Sequence, residues 1–329
     1  MISPLRTGRI IEPGETGDAL GGGLSVTDSE APTRPRASVV VAVRGNAAAL
    51  TGLAAALAGQ DVAAGDLELI VVDNHHRPQI SARCVENPSV PTRVVHEPRP
   101  GLSRARNTGI RAARGDYVLI TDPDARPVSS WVRQLVAALE HTGAYCAGGK
   151  VVPRWTGTRP LRLDPRVAQL FVPPAWPDRV VPLAAPYWLV GCNLGFRRDP
   201  LPRFDERFGV RGRWHLSCED LEIVVRTERA EWGVVVVPDA VVARAIHPAD
   251  RRVSALVGRA LWHGVSIARL VNAHPDTEIY DSDRVRDALR SLRPTSWLPA
   301  LTDLARIVGL RAESTRLAVR AGLGRVSAR

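Results

Sequence analysis

Gly115-Asp116-Tyr117-Val118-Leu119-Ile120-Thr121-Asp122-Pro123-Asp124-Ala125-Arg126-Pro127 is the stretch that decides how the chain folds. Tyr117 to Thr121 is a short apolar, β-branched run, the mark of a buried strand, and it stops at two aspartates separated by one proline. Both carboxylates therefore stand at a strand's carboxyl end, where open α/β sheets bind ligands, and two hard oxygen donors suit a divalent cation. Pro123 fixes its own backbone and biases Asp122 towards an extended conformation, so the pair is presented in one geometry. The same three residues also suit a solvated turn. The flanking chain decides between the two.

Upstream, Ser103 can cap a helix running to Ala113, with Arg104 in its first turn and Asn107 one turn later. Before it come a third strand near Arg93 to His96, a second at Leu67 to Val72 ending in Asp73-Asn74, and a first at Ser38 to Val43. Asn46 is a plausible cap for the apolar-periodic segment Ala47 to Ala58, which makes a right-handed βαβ unit and hence a parallel sheet. Residues 1 to 36, with Gly21-Gly22-Gly23, carry no sustained period and read as a disordered arm.

Downstream, Ser129 or Ser130 caps a helix from Trp131 to Glu140, and Tyr145 to Val152 reads as a strand. Proline then becomes dense from Pro153 to Pro186, the pattern of an irregular excursion or lid. Tyr187 to Arg197 is strand-like again, with glycine at Gly191 and Gly195. Cys218-Glu219-Asp220 opens a helix to Arg229, Val234 to Val237 and Val241 to Ile246 are strands, and His247-Pro248 follows. Ser254 to Asn272 is an amphipathic helix. The tail from Trp297 puts Leu298, Leu301, Leu304, Ile307 and Val308 on one helical face, which packs on the domain or lies on an anionic membrane. Packing is the more usual outcome for such a stripe.

The composition, 45% hydrophobic and 24% charged over 329 residues, is that of a globular protein able to bury a core. Lys150 is the single lysine, so the net charge of +10 is an arginine charge, suited to paired hydrogen bonds with phosphate. Cys84, Cys146, Cys192 and Cys218 show no metal-ligand spacing and fit free thiols. No apolar run approaches the ~20 residues that span a bilayer, and Pro4, Gly8 and Pro13 replace the apolar core of a signal peptide. The expected location is the cytoplasm.

In this order the motifs resemble family 2 glycosyltransferases of the GT-A fold. The resemblance covers residues 37–250 and rests on Val39 to Asn46, Ile70-Val71-Val72-Asp73-Asn74, Gly101 to Gly109 with Ala112-Arg114-Gly115-Asp116, Asp122-Pro123-Asp124, and Phe204 to Gly209 followed by Glu219-Asp220-Leu221. It implies an α/β fold with one mostly parallel, Rossmann-like sheet flanked by helices, and leaves 251–329 as a helical C-terminal extension. It also implies transfer of a sugar, with inversion, from a nucleotide-diphosphate donor to a hydroxyl of a glycan, glycolipid or natural product.

Site roles follow from the same resemblance. Asp73 would contact the base or ribose, Arg104 and Asn107 would lie beside the donor nucleotide, and Gly191 would sit near the acceptor. Asp122 and Asp124 would form the DxD pair, Asp122 touching ribose or metal, and His247 would complete a Mg²⁺ or Mn²⁺ site. Asp220 would be the base, with Glu219 as the competing assignment. Val43-Arg44-Gly45-Asn46 departs from the usual proline and aromatic residue, and Asp73-Asn74-His75-His76 from the usual turn. His75 and His76 read as exposed loop residues or as ligands.

Two readings compete from other classes. One is a catalytically silent protein on the same fold that binds sugar nucleotides or polysaccharide. The other, a nucleic-acid binder, rests on charge alone and lacks a recognisable module. No G-x-G-x-x-G follows the first strand, which disfavours a dinucleotide-dependent oxidoreductase.

Overall fold

Alternating apolar runs and helices assemble as the first half of the sequence requires. The computed structural model describes residues 34–45, 47–81, 89–158, 164–184, 186–212, 214–275 and 297–327. In chain order the elements are β1 (Ala37–Val43), α1 (Ala49–Ala58), β2 (Leu67–Asp73), β3 (Thr92–His96), α2 (Leu102–Ala112), β4 (Tyr117–Thr121), β5 (Ala125–Pro127) and α3 (Trp131–Thr142). They continue as β6 (Cys146–Trp155), α4 (Pro165–Ala168), β7 (Val181–Pro182), β8 (Asn193–Arg197), α5 (Glu219–Arg229), β9 (Val234–Ile246), α6 (Val253–Ala273) and α7 (Trp297–Ser327).

The strands form one sheet in the order β3-β2-β1-β4-β8-β6-β9-β5, with β7 against β9. From β3 to β4 it is parallel; β8 then runs antiparallel to both β4 and β6, while β6 and β9 are parallel to each other. Every residue of β2 and β4 is buried, as strands covered on both faces must be. Leu50, Leu53 and Leu57 of α1 and Trp131, Leu135 and Leu139 of α3 cover one face. Ile110 of α2 and Ile223 of α5 cover the other, with Phe196 and Phe204.

Several expectations change. Ser103 is not the cap of α2: Gly101 holds that position at φ 148, and the Ser103 hydroxyl donates instead to Phe208 O at 2.7 Å. Asn46 and Cys84 lie outside the described residues, and α1 starts two residues later than expected, at Ala49. Ser130 precedes α3 without a side-chain capping bond. Strand β9 is continuous through Pro238-Asp239, where two strands were expected, because the pairing with β6 shifts register between Gly149 and Val151 instead of breaking. Asn193 bridges that irregularity, its amide donating to Lys150 O and Ala240 O. The segment Tyr187 to Cys192 is loop, and the strand begins only at Asn193.

The tail differs most. Helix α7 packs on α6 through small residues: a Cβ at Gly309 would lie 2.1 Å from Leu261 O, and one at Gly264 2.0 Å from Arg306 O. Ala300, Thr302 and Ala305 are buried with them, whereas Trp297, Leu301, Leu304 and Val308 are exposed. Close backbone approach thus selects the small-residue face, and the large apolar stripe points away from the domain. Leu298 alone of the expected set joins a core cluster, with Val167, Phe171 and Leu256.

Candidate active site

The turn after β4 places Asp122 and Asp124 at the carboxyl edge of the sheet, where Arg106 organises the acids. Its guanidinium, 2% exposed, donates through Nη1 to Glu219 Oε1 at 3.0 Å and through Nη2 to Asp122 Oδ1 at 3.3 Å and Gly191 O at 3.2 Å. Phe204 lies beneath it at 5.2 Å. The Gly191 N–H in turn donates to Asp220 Oδ2 at 2.8 Å, so one buried cation gathers Asp122, Gly191, Glu219 and, at one remove, Asp220. Thr121 fixes the Gly191 loop from the end of β4 by donating to Cys192 O at 2.8 Å.

Burial and then the Asp220 charge push the Glu219 carboxyl up to about 7, against the pull of Arg106. Arg244 on β9 stands in the same field. Burial works against its charge, yet the carboxylates of Asp122, Asp124 and Asp220 hold it above the ordinary arginine range. Burial likewise raises the Cys146 and Cys192 thiols, which keeps them protonated and inert.

The rest of the α2 motif has another task. Arg104 Nε pairs with Glu206 at 2.8 Å, Asn107 exchanges two hydrogen bonds with the backbone of Phe204, and Ser103 holds Phe208. Gly209, at φ 85, leaves room for the Ser103 hydroxyl, which a Cβ would approach to 2.8 Å. Arg104 and Asn107 therefore clamp the segment leading to α5 and do not reach the acids.

Asp73 is also turned inward. It accepts from the backbone N–H groups of His75, Gln79 and Ile80 and from the His75 ring, at 2.6 Å. Burial opposes its ionisation, but those donors hold its carboxyl below the usual range. His75 is not an exposed loop residue: its side chain is 12% exposed, and its other ring nitrogen accepts from Gly45 N–H at 2.9 Å. With Nδ1 donating and Nε2 accepting, the ring ties the turn after β1 to the end of β2 and is used up as a ligand.

A divalent cation fits the acids in part. Burial, followed by the charge of Asp122, holds the Asp124 carboxyl above its ordinary range, a cost that a cation would relieve. His247 Nε2 stands 4.0 Å from Asp124 Oδ2, its ring half exposed and its Nδ1 3.1 Å from the Thr156 hydroxyl. Asp122 is committed to Arg106, and among the described residues no three His, Cys, Asp or Glu side chains group closely enough to hold a metal. Asp124 and His247 are the pair that would hold one. They border a cavity of about 440 Å³, also lined by Val43, Arg44, Arg126 and Arg154.

A mixed α/β sheet flanked by helices, with acids at its carboxyl edge, is the architecture that the GT-A resemblance implies. Residues 38–201 match the family model described as Glycosyl transferase family 2, and the chain belongs to that family. It is 27% identical over 254 residues to a pre-mycofactocin glycosyltransferase of Mycobacterium tuberculosis, covering 74% of this chain and 49% of that protein. It is 38% identical over 78 residues to the uncharacterized glycosyltransferase EpsJ of Bacillus subtilis, covering 23% of this chain and 22% of that one. The chain thus spans about half the length, or less, of these curated relatives. A mannosyltransferase structure from Pyrobaculum calidifontis, in complex with GDP-Man and Mn²⁺, aligns at 23% identity with a TM-score of 0.49, covering 88% of this chain and 76% of that one. A likeness that loose carries no functional inference.

Proposed function

We propose that this chain transfers a sugar from a nucleotide-diphosphate donor to an acceptor hydroxyl, by direct displacement with inversion. The observation that carries the proposal is the bridge made by Arg106, which ties the donor-side acid Asp122 to Glu219 and so to the acceptor-side Asp220. In the displacement the acceptor oxygen forms a bond to the anomeric carbon, the bond to the diphosphate oxygen breaks, and the hydroxyl proton must leave. Asp220 is the base. Glu219 is buried and bound to Arg106, whereas Asp220 is only half-buried and is oriented by the N–H groups of Gly191 and Leu221. Asp124 and His247 would hold Mg²⁺ or Mn²⁺, which when bound supplies Lewis-acid neutralisation of the diphosphate.

The acceptor class is a glycan, glycolipid or natural product, and the M. tuberculosis relative's name puts pre-mycofactocin on any acceptor panel. The outward apolar stripe of α7 and the net charge of +10 support peripheral contact with an anionic membrane surface from the cytoplasmic side. Among the described residues no helix is long and apolar enough to cross a membrane. Nucleotide release from a panel of sugar nucleotides, with Mn²⁺ and acceptors, tests the reading. Asp220→Asn should slow turnover by ~10²–10⁴-fold, the usual contribution of a positioned base. Equal turnover would overturn the assignment, and donor binding without turnover in wild type would favour the silent binding protein.

A further inference from the structure

The cavity beside Asp124 is unbalanced in charge. Among the described residues, Arg44, Arg126 and Arg154 line it with Asp124 as the only carboxylate. Of the half-buried arginines outside the cavity, Arg93 finds Glu68 and Arg104 finds Glu206, whereas Arg197 and Arg198 donate to backbone carbonyls of packed neighbours. Arg126 and Arg154 find only backbone carbonyls: Arg126 donates to Ala125 O at 2.7 Å and Ala49 O at 3.4 Å, and Arg154 to Asp124 O at 3.2 Å. Arg154 Nε is buried with no partner at all. A guanidinium carries five donors, so most of those on this pair have no acceptor among the described residues. A buried donor without one is costly, and an oxyanion in the cavity would supply acceptors to both guanidiniums.

The fold also makes room for it. A Cβ at Gly52 of α1 would lie 2.0 Å from Arg126 Nη2, so the helix has glycine where that guanidinium rests. The cavity's size falls within the range of small-molecule sites, and its guanidiniums match phosphate oxygens in geometry.

We propose that Arg126 and Arg154 form a diphosphate seat that binds without a metal ion. The inference rests on the donor reading above and adds which residues meet the leaving diphosphate and that chelation does not abolish the contact. Protein cations placed there would also neutralise the charge that develops as the diphosphate leaves.

Calorimetry of the full chain with inorganic pyrophosphate in excess EDTA tests it. Wild type should bind, and Arg126→Gln or Arg154→Gln should weaken binding about 10- to 100-fold, the value of charged hydrogen bonds. Arg154→Lys should recover only part, since an ammonium lacks the paired donors. Gly52→Ala displaces Arg126 without removing charge and favours the helix; it should weaken binding in a folded protein, which covers the case of an arginine variant that fails to fold. Arg320→Gln, on the exposed surface of α7, should have no effect. Absence of binding in EDTA, equal binding by the cavity variants, or an equal loss in Arg320→Gln would overturn the seat. Pyrophosphate binding in a protein without turnover would refute transfer and leave the seat standing. Turnover with strictly metal-dependent pyrophosphate binding would do the reverse.

Discussion

Two arginines two positions apart in Leu102-Ser103-Arg104-Ala105-Arg106-Asn107 have opposite fates, because two residues on a helix turn through about 200°. Arg104 faces the Glu206 segment and Arg106 faces the acids. Sequence spacing put Asp122, Asp124 and His247 after strands and Asp220 at a helix start, whereas Gly191 fell inside an expected strand and lies in the loop before β8. Spacing could not rank the arginines, since Arg106's partners lie 16, 85 and 113 residues away and the helix's rotation is set by packing. Nor could it show that Asp73 faces its own loop. The Glu219 carboxyl provides a test at this scale. Its folded value of about 7 lies above its ordinary 4.5, so the folded state holds the proton more tightly than the unfolded state. Stability should therefore fall as pH rises from about 4.5 to 7. In urea titrations across that window, Glu219→Gln should flatten the decline by on the order of 1–3 kcal/mol. Parallel slopes in the two proteins would show that Glu219 titrates normally.

Among the elements, α7 shows how a periodic apolar pattern can mislead. The spacing of Leu301, Leu304 and Val308 correctly indicates a helix but not which face is buried. Ala300, Ala305 and Gly309 let the backbones of α6 and α7 meet, and dispersion contacts at that distance win over the larger stripe. Gly309→Val should cost about 1–3 kcal/mol in denaturant unfolding, the usual penalty of overpacking. A change below 0.5 kcal/mol, roughly the scatter of surface substitutions, would mean that the helices can separate freely. Strand β9 carries the complementary lesson. Pro238 and Asp239 look like a break, but pairing with β6 resumes at Val242, and the amide of Asn193, 47 residues from Ala240, spans the gap.

At the scale of the whole molecule, the alternating first half was legible because each parallel strand is a continuous apolar run, whereas the mixed half depends on chain reversals that leave no periodic trace. The exposed Trp297, Leu301, Leu304 and Val308 should make association with anionic liposomes sensitive to their polarity. Leu304→Glu with Val308→Glu should lower the bound fraction in sedimentation while leaving the thermal midpoint unchanged, and undiminished binding would exclude this face. Because Asp122 and Glu219 share a single counter-ion, neither half of the cleft can change its charge in private. Whatever draws Asp122 away from Arg106 deepens the guanidinium's hold on Glu219, and thermodynamic reciprocity makes the influence run equally in the opposite direction. Donor affinity measured with and without a saturating acceptor should accordingly differ in wild type and converge in Arg106→Met, making this side chain the place where the two substrates learn of each other.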